Sequence, residues 1–274
     1  MKLTLIGQDN ILMRFYVHFF YKLNIKDVLL SAVILPNNMK SKSKSSIKLR
    51  KSMSFHNFTD SKSNLRIPKL FWNRIETRNL LESYFLKQDI DLRSFKLDKQ
   101  IPLNNVSYVN TKSMTCNELS QQKLPSTDFF LNTGSFIYNK NLLDSLQRKV
   151  VHVHPGYLPE LRGGDGLLWS IYLKEEIGLT LFKMNEFIDE GEIYDRKKIK
   201  FNRINNSSLK KLTNQQKYNF IFSSLDPVFR SHFFWSTAYK KLNEDSLIIN
   251  EKNKGIYKSF MTENELEKVF FKIF

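Results

Sequence analysis

Cysteine is nearly absent from the 274 residues: Cys116 stands alone. One thiol excludes a disulfide framework and a cysteine-rich zinc site. A chain without disulfides suits a reducing cytoplasm. Long apolar runs are missing too. The most hydrophobic stretch, Ile11 to Leu23, is broken by Arg14, His18 and Lys22, whereas a membrane span needs roughly 20 mostly apolar residues. It reads as a helix with one greasy face. The opening Met1 to Gly7 is too short for a targeting segment, and Asp9 follows at once. No internal repeat is visible. Acidic residues are scarce, 27 against 43 Lys and Arg, leaving a net charge of +16. Such a balance fits nucleic acid, a membrane surface or an anionic substrate. It fits equally a coding bias toward Lys, Asn, Ile and Phe. The acid-free run Lys40 to Ser54, within a basic loop spanning 40–66, reads as a solvated, mobile segment or as an arm for a phosphate-bearing partner.

Apolar residues are plentiful. They make up 41% of the chain, with 23 Phe, 11 Tyr and 3 Trp, which excludes disorder throughout. The length allows one large domain or two small ones. Lys2 to Ile6 reads as a buried strand ending in Gly7, Ile11 to Leu23 as a helix, and Val28 to Leu35 as a second strand. Strand, helix and strand in about 35 residues predict a βαβ unit and a parallel sheet. Further on, Leu70 to Lys87 has helical character and Val106 to Val109 strand character. Asp128 to Leu131 predicts a strand before the turn Asn132-Thr133-Gly134, and Leu142 to Leu146 a short helix. Val150 to His154 alternates as a strand and stops at Pro155. Gly166 to Lys174 predicts a helix and Leu179 to Met184 a strand. After Phe201 the chain is helix-like. The expected division is a main domain over 1–200 and a helical or mixed C-terminal extension over 201–274.

Val150 to Ile193 carries the chemistry. His152 and His154 lie two apart on a strand, so both rings project from one face, about 6.6–7 Å apart along it. They sit at the strand's carboxyl end, where open parallel sheets bind ligands. Two of the five histidines at one such turn favour a functional site over packed structural rings. The loop Leu158 to Gly166 holds glycines that let backbone approach a ligand closely, or it is a helix-entry turn capped by Asp165. Asp189, in I-D-E-G-E-I, reads alone as an ordinary surface acid, or as a loop carboxylate able to orient a histidine and favour its charged form.

Together these residues resemble the folate-dependent formyltransferases, which take a formyl group from 10-formyltetrahydrofolate. The family pattern is met by His154-Pro155-Gly156, Leu158-Pro159, Arg162-Gly163, Trp169, Gly178-Leu179-Thr180 and Asp189-Glu190-Gly191-Glu192-Ile193. The resemblance implies an α/β fold, a Rossmann-like mostly parallel sheet flanked by helices, with its site at the carboxyl edge. It implies catalytic roles for His154 and Asp189, with His152 standing where the family has Asn. It also implies a donor site along Gly134, Gly156, Leu158, Arg162, Gly163, Gly164 and Asp165. The chemistry needs a hydrogen-bond donor where the attacked formyl oxygen gains charge. A protonated His152 would supply one, and a neutral ring with the wrong tautomer would not. His154, held by Asp189, suits the proton transfer from amine to folate nitrogen.

The N-terminus lacks the glycine-rich opening associated with purine-pathway relatives and the Pro-Phe-Ala stretch associated with the tRNA enzyme. Residues after Phe201 do not read as the alternating strands of a tRNA-binding barrel. The expected acceptor is therefore the primary amine of a small molecule, a nucleotide-linked amino sugar, and a homodimer is compatible with this. Two other readings stay open. His152, His154 and Asp189 also form a two-imidazole, one-carboxylate set suited to a metal. The net charge also fits a non-catalytic, nucleic-acid-binding relative, although no aromatic-studded RNA motif is visible.

Overall fold

Lys2–Gly7 forms β1, a strand buried from Leu3 onward. Its unbroken burial, Thr4 included, reflects a place within the sheet, flanked by the strands Leu29–Ile34 and Phe129–Asn132. The computed structural model describes residues 1–36, 39–40, 74–97, 103, 105–109, 113–244, 247–251 and 254–274. Apart from Lys40, the basic run expected at Lys40–Ser54, and the wider 40–66 loop, lie outside these residues.

Asn10 caps α1, Ile11–Lys22, by accepting from the Met13 amide at 2.9 Å. The helix is buried on nearly every side rather than on one face, and even Arg14 is enclosed against Asp9 at 2.8 Å. It is pressed between the sheet and a second helix, so its burial exceeds that of an ordinary surface helix. β2 spans Leu29–Ile34, α2 Ile75–Leu86 and β3 Val106–Tyr108. β4 (Phe129–Asn132) and β5 (Val150–His154) follow. Then come α3 (Gly166–Lys174), β6 (Glu176–Lys183) and β7 (Ile193–Lys200).

Among the described residues these seven strands form one sheet in the order β7-β6-β5-β4-β1-β2-β3. The pairs β3–β2, β2–β1, β1–β4 and β4–β5 are parallel. β6 runs antiparallel to both β5 and β7. The sheet is thus mostly parallel, α/β and Rossmann-like, with its strand order reversing between β1 and β4. Crevices for ligands open at the carboxyl ends of strands near such a reversal.

Past β7 the chain is largely helical. Asn214–Phe220 continues through a π-helical turn, Ile221–Leu225, into α4, Asp226–Ser236, and α5 spans Glu263–Ile273. Phe229, Phe233, Phe234 and Trp235 of α4 belong to the same core as Leu3, Phe15 and Leu181. The Trp235 indole N–H donates to the Tyr16 carbonyl at 2.7 Å, fastening α4 to α1. Residues of 201–274 therefore help to enclose the sheet. Leu161–Gly163 pairs in parallel with Ile256–Lys258 and draws the late chain across the carboxyl edge. Among the described residues, no helix is long and apolar enough to cross a membrane.

Candidate active site

His154 is the last residue of β5 and is 3% exposed. Its Nε2–H donates to the Leu161 carbonyl at 3.2 Å, and Nδ1 lies 3.5 Å from Asp189 Oδ1. Each ring nitrogen thus faces an acceptor. Asp189 adopts φ +55°, and its Oδ2 accepts from the Gly163 amide at 2.9 Å. Asn250 Nδ2 donates to the Asp189 and Gly191 carbonyls, both at 3.0 Å. The carboxylate is thus held by Gly163 facing His154, and Asn250 fixes the backbone that carries it.

The turn after His154 is shaped by Thr180, its partner in the ladder. Thr180 Oγ1 donates to the Gly156 carbonyl at 2.8 Å and accepts from the Leu158 amide at 3.0 Å. A Cβ on Gly156 would stand 2.4 Å from His154 Nε2, so only glycine leaves the ring its place.

His152, two residues earlier, keeps part of its surface open. Arg230 Nη2 lies 3.3 Å from its Nε2. A guanidinium can only donate, so Nε2 is the acceptor. The proton is then on Nδ1, which lies 3.3 Å from both the Asn132 carbonyl and Asn132 Nδ2 and donates to the carbonyl. The Asn132 amide is itself fixed, since its Oδ1 accepts from the Gly134 amide and from Tyr138. Loss of hydration holds the pKa of His152 well below the ordinary imidazole value, and the charges of Arg230 and His154 add to this. The ring is neutral, with no N–H left for a third group.

The expected donor-site residues surround this pair. Gly134 lies beside Asn132 at the end of β4. Leu158 is buried, and its carbonyl accepts from Arg196 at 2.8 Å. Arg162 Nη2 donates to Asn250 Oδ1 at 3.1 Å and to the Glu251 carbonyl at 2.9 Å. Gly163 has φ +101°, and a Cβ there would stand 2.0 Å from the Lys258 carbonyl. The Gly164 amide donates to that same carbonyl at 3.0 Å. Asp165 accepts from the Tyr218 hydroxyl and from the Met261 amide, and burial pushes its pKa up to about 6. The loop from Leu158 to Asp165 thus wraps the His154–Asp189 pair and anchors the late chain over it.

Sequence reasoning missed Asn132, Arg230, Asp226 and Asn250. Asn132 stood in plain view in the Asn-Thr-Gly turn. Asp226 and Arg230, an i,i+4 pair on α4 at 3.2 Å, look in sequence like an ordinary helix-surface bridge, yet both are buried. The metal reading of His152, His154 and Asp189 finds no support in this geometry. A guanidinium occupies the His152 lone pair that would bind a cation. Among the described residues, no group of three or more His, Cys, Asp or Glu is arranged as a metal site. Cys116 is packed, with its thiol donating to the Ile137 carbonyl at 3.3 Å and its pKa raised by burial.

No protein-family model matches the chain. Curated relatives do. The methionyl-tRNA formyltransferase of Mycoplasma genitalium is 22% identical over 181 residues, covering 62% of this chain and 55% of that protein. The enzyme of the same name from Bacillus pumilus is 34% identical over 71 residues, 26% of this chain and 22% of its own length. The matched stretches therefore span 22% to 55% of these relatives. Among solved structures, a 4-N formyltransferase from Francisella tularensis superposes with a TM-score of 0.47 at 16% identity, covering 99% of this chain and 87% of that one. The N-formyltransferase of Helicobacter canadensis, solved with folinic acid and dTDP-3-aminofucose, gives 0.48 at 14% identity over 100% and 80% of the two chains. The resemblance to formyltransferases is matched: the chain is similar in sequence to enzymes of that name.

Proposed function

We propose that this protein is an enzyme that transfers a formyl group from 10-formyltetrahydrofolate to the primary amine of a small acceptor, a nucleotide-linked amino sugar. The observation that carries this reading is the His154–Asp189 pair, 3.5 Å apart at the sheet's carboxyl edge and enclosed by the loop Leu158–Asp165. The acceptor nitrogen attacks the formyl carbon, and the folate nitrogen leaves. One proton must pass from the first nitrogen to the second. A histidine held by a carboxylate at Nδ1 is suited to take up and return that proton at Nε2, exchanging its bond to the Leu161 carbonyl for one to the substrate. Asp189 orients the ring and offsets its charge when doubly protonated.

The test takes two steps. Thermal unfolding is followed with and without 5-formyltetrahydrofolate. Saturation at about 100 times the dissociation constant adds about 2.7 kcal/mol. The protein is then incubated with 10-formyltetrahydrofolate and either dTDP- and UDP-linked amino sugars or methionyl-tRNA, and the products are read by mass spectrometry. Formylated sugar supports the reading. Formylated tRNA alone replaces the acceptor, and absence of folate binding overturns the donor.

A further inference from the structure

Polar groups from α1, β5 and α4 converge beside the open edge of His152. Arg230 donates from Nη1 to Asp226 Oδ2 at 3.2 Å and from Nη2 to His152 Nε2 at 3.3 Å. The Tyr16 hydroxyl faces the same pair, and burial raises its pKa. Arg230 Nε and Asp226 Oδ1 are buried without a hydrogen-bond partner, and the Tyr16 hydroxyl has only the Arg230 guanidinium to bond to. A buried polar atom left unmatched costs about 1–3 kcal/mol. Unmatched atoms gathered on one ion pair mark a cluster able to receive polar atoms from outside its own side chains. A guanidinium has five N–H groups. Two of them are spent on Asp226 and His152.

We propose that Arg230 is the electrophilic residue of this site, its guanidinium donating to the formyl oxygen as negative charge builds there. The proposal rests on the formyl-transfer reading above. As the acceptor nitrogen bonds to the formyl carbon, the carbonyl π pair moves onto oxygen, next to Arg230. Re-forming the carbonyl breaks the bond to the folate nitrogen, which takes the proton lost by the amine through His154. No oxidant or further co-reactant enters. His152 cannot be the donor, because its one N–H points to the Asn132 carbonyl and its other nitrogen accepts from Arg230. Asp226 and His152 instead hold the guanidinium in place. Preorganised cationic donors of this kind act where charge develops in a site that excludes water.

The experiment needs no knowledge of the acceptor. Hydrolysis of 10-formyltetrahydrofolate, with water as the nucleophile, passes through the same oxyanion and releases tetrahydrofolate and formate. The full chain and its Arg230→Ala variant are compared for this hydrolysis and for binding of 5-formyltetrahydrofolate. The expected result is a rate lower by about 10²–10³-fold, with folate binding kept. Added guanidinium ion should restore part of the rate, which a purely structural role would not allow. A folded variant that binds folate and hydrolyses the donor at the wild-type rate overturns the role of Arg230 and leaves formyl transfer standing. Wild-type protein that neither binds nor hydrolyses the folate overturns both. Should Arg230→Ala fail to fold, the carbonyl stretch of formyl-¹³C-labelled 5-formyltetrahydrofolate bound to wild type decides. A shift to lower frequency than in water supports the guanidinium contact, and no shift overturns it.

Discussion

Replacing His154 by Ala removes the one ring that faces both Asp189 and the Leu161 carbonyl. Formyl transfer should fall by about 10²–10⁴-fold, the range of a lost general acid–base group. Asp189→Asn should cost a similar factor, because an amide cannot balance the charge of a doubly protonated ring. Steady-state rates with saturating folate check both, and near-wild-type turnover in either would remove the pair from the chemistry. Asp165 makes a different prediction. Its folded pKa, pushed up to about 6 by burial, lies above the 3.8 of a free carboxyl. Between those values the folded state holds a proton that the unfolded chain has released, so stability from this group rises as pH falls from about 6 to about 4. The penalty is fully present above that window and amounts to about 3 kcal/mol at most. Asp165→Asn removes the titration and tolerates the left-handed backbone at φ +52°. Denaturation midpoints at pH 7 and pH 5 should therefore differ less in the variant than in wild type.

Elements differ in how far their sequences announce them. β1, α1 and β5 were legible because their apolar runs have the length and period of buried strand or helix. β7 was not. Its sequence, Ile193 to Lys200, carries Asp195, Arg196, Lys197, Lys198 and Lys200 and looks like a loop. It is an edge strand, where such charges protect exposed backbone from pairing with another chain. β6 begins at Glu176, earlier than its apolar run suggests, because antiparallel pairing with β7 extends to Lys200. At the site, His154 and Asp189 were legible from their motif. Arg230 was not, since it lies 78 residues from His152 in sequence and reaches it only when α4 docks. The π-helical turn ahead of α4 adds a residue to the helical repeat and resets which side chains face the sheet. No local pattern encodes that. The pairing of Leu161–Gly163 with Ile256–Lys258 yields a test at this scale. Gly163→Ala should push the late chain off the loop and cost more than about 1 kcal/mol. Limited proteolysis should then cut near Gly255 faster in the variant than in wild type.

For the whole molecule, the question is whether the late chain is an appendage or a structural part. Phe229 is 1% exposed, and its ring centroid lies 5.1 Å from that of Phe85 on α2. A C-terminal residue thus packs against a helix from the first third of the chain. Phe229→Ala should cost about 3–5 kcal/mol, a large share of the stability of a marginally stable fold. Chemical denaturation would show the loss as a lower midpoint in a single transition. A separate early transition confined to 201–274 would instead mark that segment as an independent unit.

The bond from the Trp235 indole to the Tyr16 carbonyl gives this fold a built-in clock. That proton is sealed between α1 and α4, so deuterium from solvent replaces it only when the two helices part. Its resonance stands apart from the crowded amide region of a proton spectrum. The rate at which it fades in heavy water therefore times how often α4, and Arg230 with it, lifts away from the sheet.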